Sequence, residues 1–167
     1  MRIVEATSPE DFDRAADLMR EFLEWTRVRF RDMPEVVDAY YDLDAWEREL
    51  NNLGSHYTGA NGSVLLAMDG DDPVGCVALI RFDESICEMK RLYVSDRNHR
   101  GGVGRTLCAA LLDRGRELGF RRMRLETGDL QVEAQALYRS LGFRDIDPYR
   151  YHPQHLIDHM ICMELQL

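Results

Sequence analysis

The chain has 167 residues, 45% of them hydrophobic, and a formal net charge of −9 at pH 7. That length fits one compact core, so residues 1–167 read as a single domain. The acidic balance argues against a nucleic-acid partner, which would need a basic footprint, and no run approaches the roughly 18 apolar residues of a membrane span.

The start Met1-Arg2-Ile3-Val4-Glu5 carries no apolar signal segment, so a cytoplasmic protein is expected. Ile3 and Val4 suggest a first short strand. Ser8-Pro9-Glu10-Asp11 offers a cap, a proline at the first helical position and an acid at the third. Phe12, Ala15, Ala16, Met19, Phe22, Leu23 and Phe30 follow at helical spacing, and Pro34 breaks the pattern. A second helix is expected from about Asp44 to Leu53, with Leu43, Trp46 and Leu50 facing inward. Gly54 to Gly62 reads as a polar loop. Strands follow at Val64 to Met68, Val74 to Ile80 and Ile86 to Val94, joined by turns at Asp69-Gly70-Asp71-Asp72 and Asp83-Glu84-Ser85. A helix ends near Gly119. Arg122 to Glu126 is the next strand, and a helix then runs to Leu141 with Gly142 as its stop. The last strands lie near Phe143 to Ile146 and His159 to Leu165. Cys76, Cys87, Cys108 and Cys162 show no C-x-x-C pairing and read as reduced core residues.

The segment with the most chemical content is Arg91-Leu92-Tyr93-Val94 followed by His99-Arg100-Gly101-Gly102-Val103-Gly104-Arg105. An apolar strand enters a glycine-rich turn, and the turn opens an amphipathic helix with Val103, Leu107, Ala110, Leu111 and Leu118 along one face. The first amides of such a helix lack helical partners, and the dipole there is positive. Glycines let a phosphate approach that backbone, so the turn reads as a pyrophosphate cradle. It is not a P-loop, which needs Gly-Lys-Ser/Thr where Gly104-Arg105-Thr106 stands. Nor is it a dinucleotide fingerprint, because the third glycine is missing.

A second segment, Ala134-Gln135-Ala136-Leu137-Tyr138-Arg139-Ser140-Leu141-Gly142-Phe143, resembles a signature of the GNAT family, the acetyl-CoA-dependent N-acetyltransferases. The cradle resembles that family's Gln/Arg-x-x-Gly-x-Gly/Ala signature, with His99 at the first position and Arg100 one place later. Cys87-Glu88-Met89-Lys90-Arg91-Leu92-Tyr93-Val94 is similar to the strand before the cradle, and Leu125-Glu126-Thr127 with Leu137-Tyr138 and Pro148-Tyr149 to an uncharacterised branch of small bacterial members. The likeness covers about residues 60 to 167. It implies an α/β (α+β) GNAT fold, a mixed central sheet of about six to seven strands flanked by about four helices.

The resemblance also implies site roles. Acetyl-CoA would be the co-substrate, with no metal. Its pyrophosphate would meet His99, Arg100, Gly101, Gly102, Val103, Gly104 and Arg105. Its pantetheine would run beside Leu92, Tyr93, Val94 and Gln131. Tyr138 would reach the CoA sulfur, where a phenol of pKa about 10 can protonate a leaving thiolate. Glu88, a carboxylate in an apolar strand, suits the base that takes a proton from an amine; a structural salt bridge to Lys90 or an arginine is the alternative, and Glu126 is the second choice of base.

The acceptor is expected to be a primary amine of a small molecule, entering between the N-terminal helices, the Gly54 to Gly62 loop and the Tyr149 to His159 segment. Trp25, Tyr40, Tyr41, Trp46, Tyr149 and Tyr151 would form an aromatic rim there. Acetylation of a protein N-terminus or lysine, and a non-catalytic acyl-CoA-binding sensor, remain open, as does a homodimer. His152, His155 and His159 read as loop residues, because Pro153 and the lack of a fixed helical register do not suit a metal site.

Overall fold

A computed structural model of the chain describes residues 1–95 and 101–167. In chain order, β1 (Arg2–Glu5) is followed by α1 (Pro9–Arg29), α2 (Pro34–Tyr40), α3 (Leu43–Leu50) and α4 (Leu53–His56). Next come β2 (Gly62–Asp69), β3 (Asp72–Arg81), β4 (Ile86–Val94) and α5 (Val103–Glu117). The chain continues with β5 (Arg122–Gly128), α6 (Val132–Ser140), β6 (Arg144–Ile146), α7 (Gln154–Ile157) and β7 (Met160–Gln166). The strands form one sheet in the order β1-β2-β3-β4-β5-β7-β6. Among the described residues only the β4–β5 pair is parallel; the others are antiparallel. The mixed seven-strand sheet matches the expected fold.

Local chemistry explains most element ends. Ser8 caps α1 and Asp11 returns the bond to the Ser8 backbone, a closed capping box. Gly70 at φ +64° turns the β2–β3 hairpin, and Gly142 at φ +101° stops α6. The helices exceed the expected number because Pro34 does not merely end a pattern. It stands at the first position of α2, where its missing N–H costs nothing. The stretch expected as a polar loop contains the single turn α4, and α7 lies within the histidine-rich segment. Leu43, expected inward, is 48% exposed, because α3 begins there; Trp46 and Leu50 are buried as expected.

The sheet carries a core on each face. Val64, Leu66, Cys76, Ala78 and Tyr93 pack against α1, α2 and α3. Leu65, Val77, Leu79, Cys87 and Met89 pack against α5 and α6. The alternation is the period-2 pattern of strands buried on both faces. All four cysteines are buried, Cys76, Cys87 and Cys108 within these cores, and burial pushes those three thiols up to about 12.

Two irregularities in β4 shape the centre of the molecule. Cys76 pairs with Tyr93 and Ala78 with Lys90, so Val77 alone faces both Arg91 and Leu92. This is a β-bulge, with Arg91 at φ +60°, a conformation that costs a side-chain-bearing residue about 1–2 kcal/mol. The second irregularity is on the other edge. β4 pairs with β5 only at Ile86–Arg122, Cys87–Met123 and Glu88–Arg124, and beyond Glu88 the two strands part.

Candidate active site

A cleft of about 720 Å³ follows the parting of β4 and β5. One end is the start of α5, where Gly102, Val103, Gly104 and Arg105 line it. Gly102 caps this helix in the left-handed region at φ +69°, which only glycine adopts without strain. The first intrahelical bond runs from the Thr106 amide to the Gly102 carbonyl, so the preceding amides point out of the helix end. Arg105 is tied to α6 through a 2.6 Å bond to the Ser140 hydroxyl. His99 and Arg100, expected to join this cradle, lie outside the described residues; Gly101 is exposed at the turn.

Leu92, Tyr93 and Val94 line the middle of the cleft, together with Gln131 and Tyr138. Gln131 Oε1 accepts from the Thr127 hydroxyl at 2.8 Å and from the Gly128 amide at 2.9 Å. Its carbonyl therefore holds the β5–α6 turn, and its NH2 is the part left to face the cleft. Tyr138 stands edge-on to Phe143 with ring centroids 5.8 Å apart and is 7% exposed. Burial holds its phenol well above the ordinary value of 10, so it stays a proton donor across the neutral range.

At the far end lie two buried carboxylates. Glu88 Oε1 accepts from the Tyr149 hydroxyl at 2.7 Å, and Oε2 accepts from Arg150 at 2.7 Å. The Lys90 ammonium stands 3.9 Å from the same Oε2. Both features expected of Glu88 thus coincide, a buried carboxylate in the cleft and a salt bridge. Glu126 Oε2 accepts from Tyr40 at 3.2 Å, and Oε1 lies 3.1 Å from His152 Nε2. Desolvation first, then the Glu126 charge, pushes the Tyr40 phenol well above its usual range. Near the cleft wall His159 Nδ1 lies 2.8 Å from Asp129 Oδ2. Among the described residues no three His, Cys, Asp or Glu side chains cluster as a metal site.

The walls differ in part from the sequence expectation. Phe22, Trp25, Phe30, Tyr40 and Tyr41 line the cleft from α1 and α2. The Gly54 to Gly62 loop does not, because Arg81 draws the Ala60 carbonyl onto β3 with bonds of 3.1 and 2.8 Å. Tyr151 is 94% exposed, and Trp46 is buried under Arg91, whose guanidinium carbon sits 4.1 Å from the indole centroid. Tyr149 is engaged by Glu88 and stacks edge-on to Phe82.

Sequence reasoning allowed Glu88 a salt bridge to Lys90 or an arginine but pointed to neither Arg150 nor the Tyr149 hydroxyl, which are about 60 residues away in the chain. It also missed the Arg91–Glu49 pair, 3.0 Å long with the Arg91 side chain 8% exposed. No spacing rule joins such residues; only the packed fold does.

The Acetyltransferase (GNAT) family model matches residues 16–143. An uncharacterised N-acetyltransferase of Schizosaccharomyces pombe is 30% identical over 161 residues, covering 95% of this chain and 90% of its own. An IAA acetyltransferase of Azospirillum brasilense is 34% identical over 118 residues, covering 69% of this chain and 76% of its own. The crystal structure of the PaiA N-acetyltransferase from Thermoplasma acidophilum in complex with coenzyme A matches all of both chains with a TM-score of 0.72 at 19% identity, a likeness of fold. With the family model spanning most of the sequence, the chain belongs to the GNAT acetyltransferase family and is an N-acetyltransferase with an acyl-CoA donor.

Proposed function

We propose that the protein transfers an acetyl group from acetyl-CoA to a primary amine of a small molecule by direct attack within a ternary complex. The observation that carries this reading is the single cleft from the start of α5, past Tyr138, to Glu88. The outward amides at 101–105 suit a pyrophosphate, since helix N-termini favour anions. His99 and Arg100 belong to the same proposal through the sequence alone. Pantetheine would follow Leu92, Tyr93 and Val94 in the gap beyond Glu88, with the Gln131 NH2 group beside it. That course brings the thioester between Tyr138 on the α5 face and Glu88 on the α1 face.

Chemistry then assigns the roles. An amine arrives protonated and cannot attack until a carboxylate takes its proton; Glu88 is assigned that role, with Glu126 at the same end of the cleft as the second choice. Tyr149 and Arg150 hold Glu88 in place, and the proton passes from it to solvent. Tyr138, kept protonated by burial, gives a proton to the departing thiolate. No step of this scheme calls on a metal. The far end is walled by α1, α2 and the residues of the α7 segment, a confined space that suits a small amine better than a folded protein.

The test is acetyl transfer to a panel of polyamines, amino acids, aminoglycosides and short peptides, with wild type and Tyr138→Phe. Small amines should be the better substrates. Tyr138→Phe should lower turnover by about 10- to 1000-fold while CoA affinity holds, as expected for loss of one general acid. Unchanged turnover would return Tyr138 to the packing role its contact with Phe143 already provides.

A further inference from the structure

Lys90 is the only lysine in the sequence; the other 20 of the 21 Lys and Arg residues are arginines. Arginine serves the surface ion pairs along α1 and α5. The lone side-chain amine stands inside the cleft. The difference matters chemically: a guanidinium stays protonated, whereas an ammonium can lose its proton and become a nucleophile.

The fold aims this amine at the acceptor end. Lys90 pairs with Ala78 and Glu88 with Ile80 across the β3–β4 ladder, so Lys90 and Glu88 stand on one face of the sheet, the α1 face. The Lys90 side chain is 20% exposed, and its ion-pair partner Glu88 is 3.9 Å away, beyond hydrogen-bond distance. Both oxygens of Glu88 already accept shorter bonds from Tyr149 and Arg150. Burial in the cleft, then the neighbouring Arg91 charge, holds the Lys90 ammonium below its ordinary 10.5 and enlarges its neutral fraction. Along β4, Lys90 lies two residues before Leu92, roughly 7 Å nearer Glu88, which is where the thioester end of the pantetheine would come.

We propose that Lys90 is a self-acetylation site: with acetyl-CoA bound and the acceptor end vacant, the protein transfers the acetyl group to its own Lys90 Nζ. This rests on reading the cleft as the acetyl-CoA site. In the reaction Nζ gives one proton to Glu88 through a water, and its lone pair forms the N–C bond to the thioester carbonyl. The C–S bond breaks, and the thiolate takes the Tyr138 proton. The second nitrogen proton replaces the one lost by Tyr138, and Glu88 releases its proton to water. The balance is one ammonium and one acetyl-CoA giving one amide, one CoA thiol and one proton. The product is an uncharged amide occupying the acceptor end, so the modified protein is a slower acetyltransferase.

The experiment follows the intact mass and peptide map of the full chain incubated with acetyl-CoA and no added amine. One acetyl group should appear on Lys90, at least about tenfold faster in the native protein than in the same chain unfolded in guanidinium, because only the fold brings amine and thioester together. Lys90→Arg should abolish the adduct, and Tyr138→Phe should slow it. Acetyl already present after expression supports the proposal only if Tyr138→Phe protein lacks it. Unmodified Lys90 in native protein, or labelling as fast in the unfolded chain, overturns it. Transfer to small amines is measured in parallel. Transfer with Lys90 unmodified sinks self-acetylation alone, whereas neither transfer nor acetyl-CoA binding sinks the proposed function itself.

Discussion

Replacing Glu49 by Gln tests what holds the β4 bulge in place. Arg91 sits at φ +60° with its side chain 8% exposed and its guanidinium 3.0 Å from Glu49 and 4.1 Å from the Trp46 ring centroid. The Tyr57 hydroxyl also donates to Glu49 Oε1 at 2.5 Å. Glutamine keeps an acceptor for both partners but removes the charge. Stranding a buried cation costs about 3–5 kcal/mol. The retained carbonyl and indole face argue for the lower end, about 3 kcal/mol, which for a chain of this size lowers the melting temperature by about 6–12 °C. The control is Glu47→Gln on the same helix. Glu47 pairs with Arg20 at 3.0 Å, but both side chains are 40% exposed or more, so the loss should stay under about 1 kcal/mol. The pH dependence carries a definite sign. Burial pushes the Glu49 carboxyl up, but Arg91 and the hydrogen bonds from Tyr57 and Arg91 outweigh it, leaving Glu49 below 4.5. The unfolded chain therefore binds more protons between that lowered value and 4.5, so Glu49 stabilises the fold above 4.5 and loses its contribution as pH falls through its folded value. The gap between wild type and Glu49→Gln should be full at neutral pH and shrink below 4.5. Thermal unfolding across pH reads both effects. A shift no larger than that of Glu47→Gln, or a gap that widens in acid, would refute the reasoning.

Three further substitutions probe the cleft. Gly102→Asp puts a carboxylate where the pyrophosphate belongs, and since like charges brought together cost several kcal/mol, CoA affinity measured by calorimetry should fall by about 100-fold or more; undiminished affinity would remove the cradle from the site. Glu88→Gln keeps an acceptor for Tyr149 but no base, so kcat should drop by about 100-fold or more. A lower melting temperature with kcat intact would instead assign Glu88 to the clamp alone. Gly128→Val sets a Cβ 2.6 Å from Phe30 Cζ, forcing the end of α1 off the β5–α6 turn. Overpacking of this kind costs about 1–3 kcal/mol, and KM for the amine should rise because Phe30 lines the cleft; unaltered stability and KM would show that the ring yields freely.

The order of elements was legible in the sequence, because each element depends on near neighbours. Near-continuous apolar runs made β2 and β3 strands buried on both faces, and Ser8-Pro9-Glu10-Asp11 capped α1 through bonds spanning one helical turn. The glycines before Val103 set the start of α5, and Ala134 to Gly142 marked a helix carrying Tyr138, so the two ends of the cleft were legible in short motifs. The tertiary structure alone decided how the chemistry between them is arranged. Tyr149 and Arg150 reach Glu88, Tyr40 and His152 reach Glu126, and Glu49 reaches Arg91, all across separations that no local pattern encodes. The bulge at Arg91 likewise occurs without a glycine to announce it, since a buried ion pair and an indole face, rather than backbone preference, hold the left-handed residue there. Buried charge is tolerated only where partners converge from distant elements, and that convergence is a property of the packed chain.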